Sequence, residues 1–410
     1  MPVPRPVLPA LLAVLLLVPS LGLAQVLFKD GEPYMTVTDA SQAKLVGGPK
    51  KGAPVLAAGN KVFVHEVANG WATVELEDPQ TLPINAHRYR LPFAALASQP
   101  GKTFMERPAW VPAPGDPALA ARDVVGYEDY PWIMVREGAA KPRRIDKGRS
   151  PAVSPDGTLL AYSPAAGGGV TVVDLTGKAK PRHFATKPDL VRNIRFAPDS
   201  RRLAWQVVDR TFVGETPKHQ DRIEMADLSQ TDPKPVVLVS DMPAESNFQD
   251  FARKGTVLCI FTDDVSRNST ETDFVRWLGL DGRILRQEPA TTFTEITSFS
   301  SNDMFLPSPA DDNLLLAATD VNPTPAMTWL NDPGAALFLY DAASGTNYRL
   351  TPRQIVAVYP AWTPDGQRIY FSGLKESPAN GTHHLYRMNA DGTGLTDLGK
   401  GLAPSVGTRP

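Results

Sequence analysis

Apolar positions in YPAWTPDGQRIYFSG, residues 359–373, alternate on both sides of a Pro-Asp-Gly turn. The same layout recurs in SPAVSPDGTLLAYS (150–163), NIRFAPDSRRLAWQ (193–206) and FLPSPADDNLLLAAT (305–319). Two weaker copies begin at Arg107 (RPAWVPAPGDPALAA) and Phe248 (FQDFARKGTVLCIFT). Anchored on Pro112, Pro155, Pro198, Arg253, Pro309 and Pro364, the copies are spaced by 43, 43, 55, 56 and 55 residues. Such self-similarity marks a repeat architecture. Within each unit a strand is expected to end before the Pro, which fixes φ in the turn; Asp caps the turn and Gly accepts positive φ. The apolar runs that follow, entered at Leu160, Leu203, Leu316 and Ile369, are too short for helices and fit buried strands.

A second marker follows in every unit: WIMVREG, VTVVDLTGK, RIEMADLS, FVRWLGLDGR, ALFLYDAASGT and HLYRMNADGTG, each an apolar alternation, a turn and another short strand. Two hairpins per unit make four strands, and six such units set radially predict an all-β fold, a six-bladed β-propeller. A four-stranded unit cannot bury both faces alone. Trp110, Val153, Phe196, Phe251 and Trp362 are therefore expected as wedges between neighbouring blades.

The turns Val153-Ser154-Pro155-Asp156-Gly157 and Trp362-Thr363-Pro364-Asp365-Gly366 resemble the TolB-like β-propeller repeat, over about residues 105–400. That resemblance implies a six-bladed scaffold for protein or ligand binding, in a family that also includes propellers attached to peptidases and some sugar-acid lyases. Residues 25–100 do not fit the repeat. Val62, Val64, Trp71, Val74 and Leu76 around Asn69-Gly70 predict a hairpin, and the order Gly-Pro stretch, Lys-Val strand and Asn-Gly-Trp turn resembles a bacterial SH3-like small barrel. Such barrels bind peptides or wall polymers, or dock onto a larger domain.

The first 24 residues change the setting. Arg5, the apolar run from Val7 to Val18 and the small-residue ending Gly22-Leu23-Ala24 predict a cleaved export signal, with no membrane span after it. A periplasmic or secreted protein is expected. The single cysteine, Cys259, excludes an intrachain disulfide and reads as a buried thiol in an apolar strand. With 42 Lys plus Arg against 44 Asp plus Glu, the chain offers no electrostatic reason for nucleic-acid binding. Residues 401–410 are expected to form a flexible tail, and a strand from within 88–97 is a candidate for closing the ring.

No nucleophile elbow, His-Glu-x-x-His, Cys-x-x-Cys or calcium-loop pattern occurs, so no cofactor or metal is expected from local sequence. Ser41-Gln42-Ala43-Lys44 has the bare Ser-x-x-Lys spacing without its partner motifs, as chance produces. Length varies between units at the connections joining second and third strands, which in a four-stranded meander emerge on one face. Variable loops on a rigid scaffold carry recognition. The candidate binding face comprises Tyr127, Tyr130, Arg210, Lys218, His219, Asp263, Trp329, Asn331 and His383. The expectation is a non-enzymatic binding or scaffold protein of the bacterial envelope with a protein partner. The alternatives are a metal-assisted enzyme on acidic sugars, using His383 or His384 with Asp263, and peptidoglycan binding through the small barrel.

Overall fold

The computed structural model describes residues 27–29, 34–46, 55–68, 70–76, 88–98, 122–187, 190–208, 210–213, 216–219, 221–242, 246–262, 273–293, 299, 302–321, 334–343, 346–351, 355–374 and 382–410. The export signal, Trp110 and the repeat copy at Arg107 lie outside them.

Near the N-terminus, the strands Tyr34–Val37, Lys61–Ala68, Trp71–Leu76, Arg88–Pro92 and Leu96–Ser98 form one antiparallel sheet. The expected hairpin is present, and Gly70 takes φ +74 in its turn. Val62, Val64, Val74 and Leu91 alternate inward onto a core separate from those of the rest of the chain. Arg88–Pro92 pairs with Trp71–Leu76 in this sheet, so residues 88–97 do not close a ring.

The remainder is an all-β propeller arrangement. A seven-stranded sheet contains Leu402–Thr408, Asp123–Asp129, Trp132–Glu137, Arg143–Val153, Leu159–Pro164, Gly169–Asp174 and Arg182–Ala185, in that spatial order. Three four-stranded sheets follow in simple sequential order: Val191–Phe196 with Arg202–Val207, Asp221–Asp227 and Val236–Met242; Ser246–Ala252 to Ile284–Pro289; and Val356–Trp362 to Thr396–Lys400. Four strands from Met304–Pro307 to Thr346–Arg349 form a further sheet, which the strand Leu27–Lys29 extends to five. The inner strands touch in a closed cycle: Leu402–Thr408, the second half of Arg143–Val153, Val191–Phe196, Ser246–Ala252, Met304–Pro307, Val356–Trp362 and back to Leu402–Thr408.

Cores form between neighbouring sheets, as the wedge argument requires. Val153, Phe196, Phe251 and Trp362 each lie in a different core, that of Val153 between Trp132–Glu137 and Leu159–Pro164 of the seven-stranded sheet and the other three between neighbouring sheets, and Leu160, Leu203, Leu316 and Ile369 are fully buried. Cys259 is buried too, and desolvation pushes its thiol well above the ordinary range. The repeated turn works by local chemistry. The Ser154 hydroxyl donates to Asp156 at 2.6 Å and accepts the Leu159 N–H, while Gly157 takes φ +69. Thr363, Asp365 and Gly366 repeat the arrangement.

The flexible tail expected at 401–410 is corrected by the structure. Leu402–Thr408 is the innermost strand of the closing sheet, antiparallel to Asp123–Asp129 with Val406 opposite Val125 and Thr408 opposite Asp123. It is ordered because Val406 enters the core shared with Tyr127, Tyr370 and Leu385. The Ser405 hydroxyl also accepts the Val153 N–H at 2.8 Å. At Gly407 the strand comes so close to Ser154 that a Cβ would collide with its carbonyl oxygen.

Candidate functional site in the axial cavity

Five of the inner strands carry a register shift against the second strand of their sheet. In four of these the bulge holds a non-glycine residue at positive φ: Ser150 (+54), Asn193 (+52), Tyr359 (+52) and Ala403 (+50). Left-handed backbone is costly for such residues and persists only where the surroundings enforce it. Three are followed by proline (Pro151, Pro360, Pro404), which occupies a bulge without sacrificing a ladder donor. The bulges border an axial cavity of about 420 Å³ enclosed by all the inner strands. That volume suits a small ligand or a short stretch of polypeptide.

The inner strands all run the same way, because each four-stranded meander returns the chain to the side from which it began. Arg149, Arg192, Asn247, Asp303 and Tyr359, at or near the strand starts, therefore gather toward one mouth, while Pro155, Pro198, Pro309 and Pro364 of the repeated turns ring the other. At the polar mouth, Glu128 Oε1 accepts the Ser150 N–H at 2.7 Å. Burial raises the Glu128 carboxyl, opposed by that N–H and by Arg149. Burial and the Glu128 charge also raise the Tyr359 phenol, although 41% of this residue stays exposed.

Deeper in the wall, the Arg195 guanidinium donates to the carbonyls of Gln249 (2.8 Å) and Ile194 (3.0 Å), and its Nε lies 3.9 Å from Asp250 Oδ2. Both side chains are surrounded by protein yet keep 23% and 30% of their surface open to the cavity. Asp250 is pushed up to about 6 by burial, with Arg195 and the Phe251 N–H pulling the other way. A carboxyl whose pKa is higher folded than unfolded contributes stability below about pH 4 and loses it as pH rises through about 6. Between pH 4 and 7 the wild type is therefore expected to lose about 1–3 kcal/mol relative to Asp250→Asn. Denaturant midpoints of both proteins across that range check this, and parallel pH profiles would contradict it.

The sequence-derived candidate face is only partly assembled. Tyr130 is 87% exposed in the turn after Asp123–Asp129. Tyr127 is corrected: it is buried in the core with Leu385 and Val406, because strand alternation carries it to the same side as Val125. Arg210, Lys218 and His219 share one two-stranded hairpin, in which Arg210 pairs with His219 and Lys218 with Thr211. Asp263, Trp329 and Asn331 lie outside the described residues. His383 is half-buried, its carbonyl accepts the Gly401 N–H, and burial lowers its imidazole pKa. His384 Nδ1 lies 3.0 Å from Asp397. Among the described residues no group of three or more His, Cys, Asp or Glu could hold a metal ion, and no helix is long and apolar enough to cross a membrane.

The axial residues Glu128, Arg149, Arg195, Asp250 and Tyr359 escaped the sequence reading. The signal that could have found them is the X-Pro-Ala/Ser triplet on three inner strands, at 150–152, 359–361 and 403–405.

No family profile matches the chain, and no curated protein sequence matches it. Among solved structures it is similar to a putative TolB from Agrobacterium tumefaciens, at 14% identity and TM-score 0.46, over 70% of this chain and 99% of the other. It is likewise similar to TolB from Acinetobacter baumannii, at 14% identity and TM-score 0.48, over 84% and 81%. An oligogalacturonate lyase in complex with manganese matches at 13% identity and TM-score 0.41, over 66% and 70%. Likeness at this level leaves the functional argument to the chain's own residues.

Proposed function

We propose that this protein is a non-enzymatic binding module, a six-bladed propeller that engages a protein partner at the polar mouth of its axial cavity. The blade count rests on dividing the seven-stranded sheet near Gly148. The first half of Arg143–Val153 pairs with Trp132–Glu137 and the second half with Leu159–Pro164, so one strand serves as the outer edge of one blade and the inner strand of the next. The function rests on a single observation: polar groups at the mouth and in the wall just below it are left open to the cavity. Glu128 offers a second carboxylate oxygen, Asp250 Oδ2 has only a distant ion pair, and neither Arg149 nor Tyr359 has a side-chain hydrogen bond among the described residues. Open donors and acceptors in a preformed recess fix the orientation of a partner.

The export-type N-terminus supports a periplasmic or secreted setting at the bacterial envelope. The N-terminal sheet, with its one-turn 3-10 helix Phe93–Ala95 between the last two strands, supports reading that unit as an SH3-like barrel for docking or wall-polymer contact.

A photocrosslinking residue placed at Tyr359, and separately at Tyr130, in cells producing the full chain tests the reading. A discrete protein adduct is expected at Tyr359, lost when Arg149→Ala is added. Adducts at neither position, or adducts indifferent to Arg149, would reject it.

A further inference from the structure

The outer strands of the propeller differ in how their free edges are treated. The first half of Arg143–Val153, Val236–Met242, Ile284–Pro289 and Thr396–Lys400 each show a register shift against the strand inside them. Bulged edges twist away from incoming strands and resist pairing with another chain. Two outer strands are regular, Thr346–Arg349 and Arg182–Ala185. The first is covered by Leu27–Lys29, which adds to it as an antiparallel strand with Leu27 opposite Tyr348. The second ends its sheet uncovered. It is the one outer edge here that is both regular and open among the described residues.

The backbone of that edge is ready to pair. The Thr186 N–H bonds the Gly168 carbonyl, so by antiparallel alternation the N–H and C=O groups of His183 and Ala185 point away from the sheet. Both residues are exposed.

The strand's own segment is strongly basic. Residues 174–187 carry four Lys and Arg against one carboxylate, in a chain whose formal charge is -2. That carboxylate is already engaged: Asp174 accepts from Thr176 and from the N–H groups of Lys178 and Ala179. Lys178, Lys180 and Lys187 are exposed and make no ion pair among the described residues.

We propose that the free edge of Arg182–Ala185 is a strand-addition site for an acidic, extended polypeptide segment of a partner protein. Only a polypeptide supplies N–H and C=O groups at the strand repeat, and this fold already caps its other regular edge in that way. A second copy of the chain would bring like charges together. The site is separate from the axial cavity and stands or falls independently of it.

The probe is a synthetic peptide of about eight residues alternating glutamate with valine, titrated at low salt onto the full chain and read by fluorescence anisotropy. Its control replaces every valine with proline, keeping the charge and removing half the donors. The alternating peptide is expected to bind, to weaken as salt is added, and to slow hydrogen exchange at the His183 and Ala185 amides. Ala185→Pro removes an outward N–H without taking an inward ladder bond, and is expected to weaken binding about tenfold or more with melting unchanged. Failure of the alternating peptide to bind, equal binding of the proline control, or undiminished binding by Ala185→Pro overturns the proposal. Should that variant not fold, exchange at His183 and Ala185 in the wild type decides: unaltered amides with peptide bound overturn it.

Discussion

Removal of residues 402–410 is expected to abolish the cooperative unfolding transition of the propeller, not merely to lower its midpoint. Leu402–Thr408 supplies the whole inner flank of Asp123–Asp129 and touches the inner strands on both sides, Val356–Trp362 and Arg143–Val153. Without it, Val125, Tyr127 and Leu385 lose the partner that buries them. Each large apolar side chain returned to water costs about 1.5–3 kcal/mol, and several such losses, added to a missing ladder, reach the whole stability of about 5–15 kcal/mol typical of a folded domain. Near-UV circular dichroism and thermal melting of the truncated chain provide the measurement. A truncated protein that melts like the full chain would show that the ring closes by other means.

Asp123→Ala is the second large effect. The carboxylate is fully buried, and it accepts Arg368 Nη2 at 3.0 Å, the Tyr370 hydroxyl at 2.6 Å and the Thr408 hydroxyl at 3.3 Å. It thereby joins strands from the beginning and the end of the ring. Burial, followed by the hydrogen bond to Asp123, raises the Tyr370 phenol well above its ordinary value, so this hydroxyl stays protonated and donating. Alanine at 123 would leave the Arg368 charge and the Tyr370 hydroxyl without their acceptor, a change expected to cost about 3–5 kcal/mol. Chemical denaturation of Asp123→Ala, Tyr370→Phe and the double variant measures both the loss and the coupling. A loss below about 1 kcal/mol would place this contact with ordinary surface pairs.

The repeat was readable because its turn is made by local chemistry: Ser or Thr, Pro, Asp and Gly each do one job within a few residues, as at Ser154–Gly157. The wedges were readable for a related reason, since a large apolar residue just before that turn has only the neighbouring sheet to pack on. Ring closure was not readable by the same rule. Ala403-Pro404-Ser405-Val406 keeps the inner-strand pattern of Ser150-Pro151-Ala152-Val153, but the turn that should follow is absent, because the strand's partner lies far upstream, with Thr408 and Asp123 285 positions apart. The axial site was hidden differently. Its wall has no packing to satisfy, so residue types vary freely around it, from Arg149 and Asn247 to Tyr359 and Leu402. Tyr127 misled in the opposite sense: a tyrosine next to a loop resembles a recognition residue until strand alternation is followed through it.

Because the strand Asp123–Asp129 is completed by a strand whose Thr408 lies 285 positions after Asp123, a nascent chain emerging residue by residue holds an open arc until that later strand is made. The oily flank of Val125 and Tyr127 must wait, shielded by a chaperone or by slow collapse, until the final turn of the wheel arrives. Joining the two ends of the propeller by a short linker and cutting between other blades would shorten that wait, and folding yield would then depend on where the cut is made.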